Sequence, residues 1–183
     1  MQLIVPVASL TFHEVAKHEE DGIVRLQEGV CLEVPRPLDD YHARSLAVAI
    51  GSLGAGLESC CRTLARQKQV YRSTLLDAAG TAILDVLDIK LRCVLDDHAG
   101  RSGLFAGMRF SPGLEGYPLE RQRVLFRLAG EATAGVRLNE ACIMEPAKSI
   151  SFFRLLCSKQ SDEDASDKCR RCQLVHCQFR KIR

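Results

Sequence analysis

An α+β fold is what this sequence predicts, and three features predict it. Apolar and polar residues alternate over 23–34, a short run over 46–50 is apolar on both faces, and a long helical period fills 71–95. Alternation with period two marks a half-buried strand, a short doubly apolar run a buried one, and apolar residues recurring every three or four positions a helix. With 183 residues and 46% hydrophobic content, the chain can form one cored domain with an appendage.

From residue 3 onward short apolar runs are separated by polar breaks, and Val24, Leu26, Val30, Leu32 and Val34 set out a hairpin. The charged stretch 13–21 reads as a loop or a short helix. Pro35, Pro37 and the Asp39-Asp40 pair then break the chain, and the run 46–50 follows as a strand in the middle of a sheet. It enters Gly51-Ser52-Leu53-Gly54-Ala55-Gly56 and a helix bearing Leu57, Cys61, Leu64 and Ala65. These glycines lack the dinucleotide spacing and no Lys-Ser or Lys-Thr pair follows, so the segment reads as a tight connection rather than a phosphate cradle.

The helix over 71–95 is the strongest periodic signal, with Leu75, Ala79, Ala82, Val86, Ile89 and Cys93 at alternating spacings of four and three. Residues 98–107 form a polar connection, 104–110 a short strand, and Ser111-Pro112-Gly113 a turn. Pro118 suits the first turn of a helix bearing Val124, Leu125 and Leu128, which Gly130 or Gly135 ends. Two further strands, 136–144 and 148–156, are separated by Pro146. On the first of them Glu140 stands among Val136, Leu138 and Cys142; a carboxylate buried there needs a partner, so Glu140 is read as either structural or site-lining, with the site favoured.

Beyond Cys157 the composition turns polar and acidic and then basic and cysteine-rich, with too few apolar residues for a core. The expected organisation is a domain over 1–157 and a linker with a small tail over 158–183. The near balance of 25 Lys and Arg against 23 Asp and Glu gives no global field for nucleic acid or an anionic membrane. The amino-terminal apolar run has no basic segment before it and no stretch of 18 apolar residues occurs, so the reading is a soluble cytoplasmic protein with no membrane partner.

Nine cysteines fall into two groups. Cys31, Cys60, Cys61, Cys93 and Cys142 are scattered in the manner of small core residues, whereas Cys169, Cys172 and Cys177 are bunched. Two thiolates three residues apart can chelate one metal from a single turn, and a third five residues later closes most of a coordination shell. The fourth ligand would be Cys157, His176 or an external group, and the set suits an iron-sulfur cluster or zinc. Against this stands a reduced basic segment, because Lys168, Arg170, Arg171, Arg180, Lys181 and Arg183 surround the thiols. Recognition of nucleic acid by this tail is disfavoured, since it has no zinc-finger histidine pair and no interleaved aromatics beyond Phe179.

Four pieces occur in order: Arg109-Phe110-Ser111-Pro112-Gly113, then Pro118-Leu119-Glu120, then Leu138-Asn139-Glu140, then Met144-Glu145-Pro146-Ala147-Lys148-Ser149-Ile150-Ser151. Together with the buried strand, the glycine turn and the helix after Tyr71, this arrangement resembles the reactivation domain of cobalamin-dependent methionine synthase over residues 43–156. The resemblance implies a C-shaped α+β domain with a twisted antiparallel sheet, and binding of S-adenosylmethionine. A guanidinium suits the carboxylate of an amino acid, and a Pro-Gly turn lets backbone approach a ligand, which fits Arg109, Phe110 and Ser111-Pro112-Gly113. By position the resemblance places a helix carboxylate, Asp85, at the ligand's ammonium end. Two departures are Leu114, where the family has an aromatic residue after the glycine, and Gly103, where it has a second carboxylate.

The resemblance further implies a reactivation subunit: cob(II)alamin on a partner corrinoid methyltransferase is reduced, by flavodoxin or ferredoxin, and remethylated from S-adenosylmethionine. Nothing in the chain resembles a cobalamin module, so cobalamin would arrive on that partner. The rival expectation is a non-catalytic module that binds a corrinoid protein and carries a structural metal in its tail.

Overall fold

The computed structural model describes residues 3–19, 22–34, 42–114 and 117–159. Its centre is a curled six-stranded antiparallel sheet built from β1 (Val7–His18), β2 (Ile23–Leu26), β3 (Cys31–Glu33), β4 (Ala43–Ser52), β5 (Phe105–Phe110) and β8 (Ser149–Cys157). The strand order is β3-β2-β1-β4-β8-β5, and a separate two-stranded ribbon pairs β6 (Arg137–Leu138) with β7 (Met144–Glu145). The helices are α1 (Gly56–Arg66), α2 (Val70–Arg101) and α3 (Gln122–Ala129), the last entered through a 3-10 turn at Leu119–Arg121. No helix among the described residues is long and apolar enough to cross a membrane.

The doubly apolar run is central, as its sequence predicts. β4 pairs with β1 from Val7↔Ser52 to Glu14↔Ser45 and with β8 from Ala43↔Cys157 to Ser52↔Ser149. Strand alternation then sends its residues to two cores. Leu46, Val48 and Ile50 join Phe153 and Leu155 beneath α3 and the β2-β3 hairpin, where Val24, Leu26, Leu32 and Leu125 are fully buried. Ala47 and Ala49 join Phe152 and Leu156 on the other face, against Leu91, Leu95 and Ala99 of α2. Small residues here let the helix lie close: a Cβ added to Gly51 would stand 3.1 Å from Leu87 and 3.2 Å from Leu91.

That close seat explains where the helix departs from its pattern. The stripe Leu75, Ala79, Ala82, Val86, Ile89 and Cys93, which an amphipathic reading turns to the core, is exposed. The buried positions are Gly80, Leu91, Leu95 and Ala99, so α2 carries two apolar faces. Leucines at 87, 91 and 95 recur every four residues and fill the trough above the Ala/Gly row of β4, while Gly80 receives Leu57 of α1, 2.9 Å from an added Cβ.

Two other expectations are corrected. The stretch 13–18 is strand, because β1 continues past a bulge between Val15 and Lys17 to pair with β2. Its polar side chains find partners along the way: His13 bonds Glu28 at 2.9 Å and Thr11 at 3.1 Å, and His18 bonds the Ala43 carbonyl at 3.0 Å. The single strand expected over 136–144 is instead the β6-β7 ribbon. Asn139 turns the chain, its side-chain oxygen accepting from the Ile143 amide at 3.0 Å and its carbonyl from Cys142.

Two buried acids make the fold alkali-sensitive. Burial pushes the Tyr117 phenol from 10.0 up to about 12 and the Cys157 thiol from 9.0 up to about 11. Each folded value exceeds its unfolded one, so the contribution is complete below the unfolded value and is lost as pH rises through the folded one. Urea midpoints are therefore expected to hold to about pH 9 and to fall between pH 9 and 12. Tyr117→Phe loses a hydrogen bond to the Glu33 carbonyl, about 1 kcal/mol at neutral pH, yet should decline less steeply above pH 10. Parallel alkaline limbs for the two proteins would rule out Tyr117 as a cause.

Candidate functional site

Strand β5 reaches the site through a bulge. Ala106 pairs with Leu156 and Arg109 with Arg154, so Gly107 and Met108 together stand opposite Leu155. The extra residue puts Arg109, rather than Met108, on the α2 face. Glycine suits the bend because a Cβ at 107 would meet the Leu155 carbonyl at 3.2 Å. Arg154 fixes the bulge by donating from Nε to the Gly107 carbonyl and from Nη2 to the Ala106 carbonyl, both at 2.8 Å, and from Nη1 to Asp96 at 2.7 Å.

Above the sheet, Arg109 lies 4.7 Å over the Phe152 ring and faces Asp88 of α2, with Nη2 3.4 Å from Oδ1 and Nη1 3.5 Å from Oδ2. Arg92, one turn further along the helix, approaches the same carboxylate at 3.2 Å. These distances lie at the outer limit of hydrogen bonding, so the pairs are not closed into a tight fork. Asp88 Oδ1 is buried and accepts no hydrogen bond among the described residues. Three arginines, 92, 109 and 154, against Asp88 and Asp96 leave a net charge of +1 in a half-buried setting, which suits an incoming carboxylate.

The turn after the strand completes the wall. Gly113 has φ +83°, in the left-handed region that glycine favours, and its amide donates to the Tyr117 carbonyl at 2.8 Å. The buried Ser111 hydroxyl makes no hydrogen bond among the described residues. Leu114 is exposed, and the aromatic residue near this turn is Tyr117, whose hydroxyl donates to Glu33 and whose ring packs edge-on against Phe153.

The expected residues separate as follows. Arg109, Ser111, Pro112 and Gly113 stand together, but Phe110 points to the opposite core and stacks on Phe153 at 5.1 Å. Asp85 is exposed on α2, and the carboxylate that faces Arg109 is Asp88, one turn later. Glu140 is exposed in the β6-β7 turn, its carbonyl bound by Arg123 of α3, on the far side of the sheet from α2. Lys148 and Ser149 are structural: Lys148 reaches Asp77 and Thr81 at 2.9 Å, while the Ser149 hydroxyl donates to the Pro146 carbonyl at 2.7 Å and bonds Ser52 at 3.0 Å.

Asp88, Arg92, Phe152 and Arg154 were absent from the sequence prediction. One signal could have found Arg154: it is the only charge in the 149–157 strand, and such a charge needs carbonyl or carboxylate partners. Cys157 is a core thiol, 1% exposed, and Cys169, Cys172 and Cys177 lie outside the described residues. Among the described residues no group of three or more His, Cys, Asp or Glu is placed to hold a metal.

No protein-family model and no curated protein matches this chain. Among solved structures it is similar to a crystal structure of the MetH reactivation domain bound to AdoHcy, with a TM-score of 0.68 and 13% identity. The match covers 88% of this chain and 61% of that one, so this chain spans about three fifths of the structure it resembles. The likeness is one of fold.

Proposed function

We propose that this chain binds S-adenosylmethionine beside Arg109 and serves in trans as a reactivation subunit, supporting reductive remethylation of cob(II)alamin on a corrinoid methyltransferase such as methionine synthase. The observation that supports it is the Arg109–Asp88–Arg92 cluster at the end of β5, directly before Ser111-Pro112-Gly113, on a fold like that of a domain solved with AdoHcy. In this reading Arg109 and Arg92 hold the ligand's carboxylate, and the unsatisfied Oδ1 of Asp88 accepts from its ammonium. Ser111 offers the nearby buried hydroxyl.

When bound, S-adenosylmethionine supplies a sulfonium methyl that a reduced cobalt can attack, so the chain needs no general acid or base. Its residues bind, orient and screen. Flavodoxin or ferredoxin would deliver the electron, and Cys169, Cys172 and Cys177 would hold zinc or an iron-sulfur cluster in the tail.

Calorimetry of the full chain with S-adenosylmethionine, followed by transfer of its labelled methyl group to a reduced corrinoid protein, tests the reading. Saturable binding with transfer dependent on this chain is expected; no binding of the donor would overturn it. Metal analysis of the same preparation tests the tail.

A further inference from the structure

The outer face of α2 has no function in the site just described, and its residues follow a stricter rule than amphipathicity. Leu75, Ala79, Ala82, Val86, Ile89 and Cys93 are spaced 4-3-4-3-4, an unbroken heptad seam with 79, 86 and 93 at a positions and 75, 82 and 89 at d. A period of 3.5 residues keeps a seam facing a second helix along its length. This seam is open to solvent: Leu75, Val86 and Ile89 are 52%, 52% and 51% exposed. The side chains that seat α2 on the sheet, Leu87, Leu91 and Leu95, are on the opposite side.

The charges beside the seam select the occupant. In a parallel pair, each g residue meets the e residue five positions later on the other helix. Here Asp85 at g would meet Lys90 of the second copy, and both are exposed. The pair is complementary, and two-fold symmetry makes it twice. An antiparallel pair that matches the same six seam residues sets Asp85 against its own copy, a repulsion. Asp88 falls at a c position, away from the seam, so the Asp88–Arg109 pair stays uncovered.

We infer that two copies of this chain associate through a parallel α2–α2 coiled coil, a property independent of the proposed ligand. Sedimentation equilibrium of the full chain should give a dimer. Ile89→Glu, which alters a side chain already half exposed, should remain folded by circular dichroism and weaken the dimer by more than about 100-fold through a buried unpaired charge. Asp85→Lys should weaken it by about tenfold or less, and adding Lys90→Asp should restore it. Because the parallel arrangement sets Cys93 against Cys93 of the second copy, a short bis-maleimide should link those two peptides, identified by mass spectrometry. A monomer at the highest concentration reached, or a dimer that Ile89→Glu leaves intact, overturns the inference. A dimer in which the same reagent links no Cys93 to Cys93 of the second copy would overturn the parallel arrangement.

Discussion

Titrated with S-adenosylmethionine, the Arg109→Ala protein is expected to bind about 30- to 1000-fold more weakly than the parent, a loss of roughly 2–4 kcal/mol. The size follows from what a guanidinium does for a carboxylate in a half-buried site: two charge-assisted hydrogen bonds in a fixed fork, where water competes poorly. Arg109→Lys should recover little, since an ammonium offers a point charge without that fork. Methylthioadenosine, which lacks the amino acid portion, supplies the internal control. Its affinity should be the same for parent and variant if Arg109 acts on the carboxylate, and should fall if the substitution merely disturbs the fold. Equal S-adenosylmethionine affinity in the two proteins would remove Arg109 from the site. Asp88→Asn should cost less, and only for ligands bearing the ammonium, because Arg92 and Arg109 would remain to attract the carboxylate.

The residues that the sequence placed correctly are those whose environment is set by their near neighbours. Residues 46–50 are apolar on both faces, and that alone requires a strand flanked by two others and covered on both sides. The turn behind Arg109 was legible for the same reason: glycine at 113 answers to a positive φ, a local demand. What failed depended on distant partners. Both faces of α2 are apolar, and only the Ala/Gly row of β4 decides that the leucines at 87, 91 and 95 face inward. The choice between Asp85 and Asp88 has the same origin, since one turn of rotation separates them and the seat of the helix on the sheet fixes which one meets Arg109. The strand expected through Glu140 was broken by Asn139, whose side chain bonds the backbone in competition with a ladder. Bulges gave no warning: whether Met108 or Arg109 points to α2 follows from one extra residue opposite Leu155.

Phe152 and Phe153 are adjacent, fully buried and turned to opposite cores, so paired substitutions separate folding from binding. Phe153→Ala removes a ring packed between Phe110 at 5.1 Å and Tyr117 at 5.9 Å, and should cost about 3–5 kcal/mol in urea unfolding. Its effect on S-adenosylmethionine affinity should be small, because its cluster lies across the sheet from Arg109. Phe152→Ala should cost a similar amount of stability and also remove the ring beneath the Arg109 guanidinium, about 1 kcal/mol of cation–π attraction. Because losses of this size approach the whole stability of a domain, leucine versions provide the working comparison; each keeps most of the volume at a cost near ~1.5 kcal/mol. Phe152→Leu should then weaken ligand binding several-fold while Phe153→Leu leaves it unchanged, with urea midpoints shifted alike. Equal effects of the two on binding would mean that the ligand senses overall stability rather than the α2 face, and the Arg109 cluster would lose its claim to the amino acid.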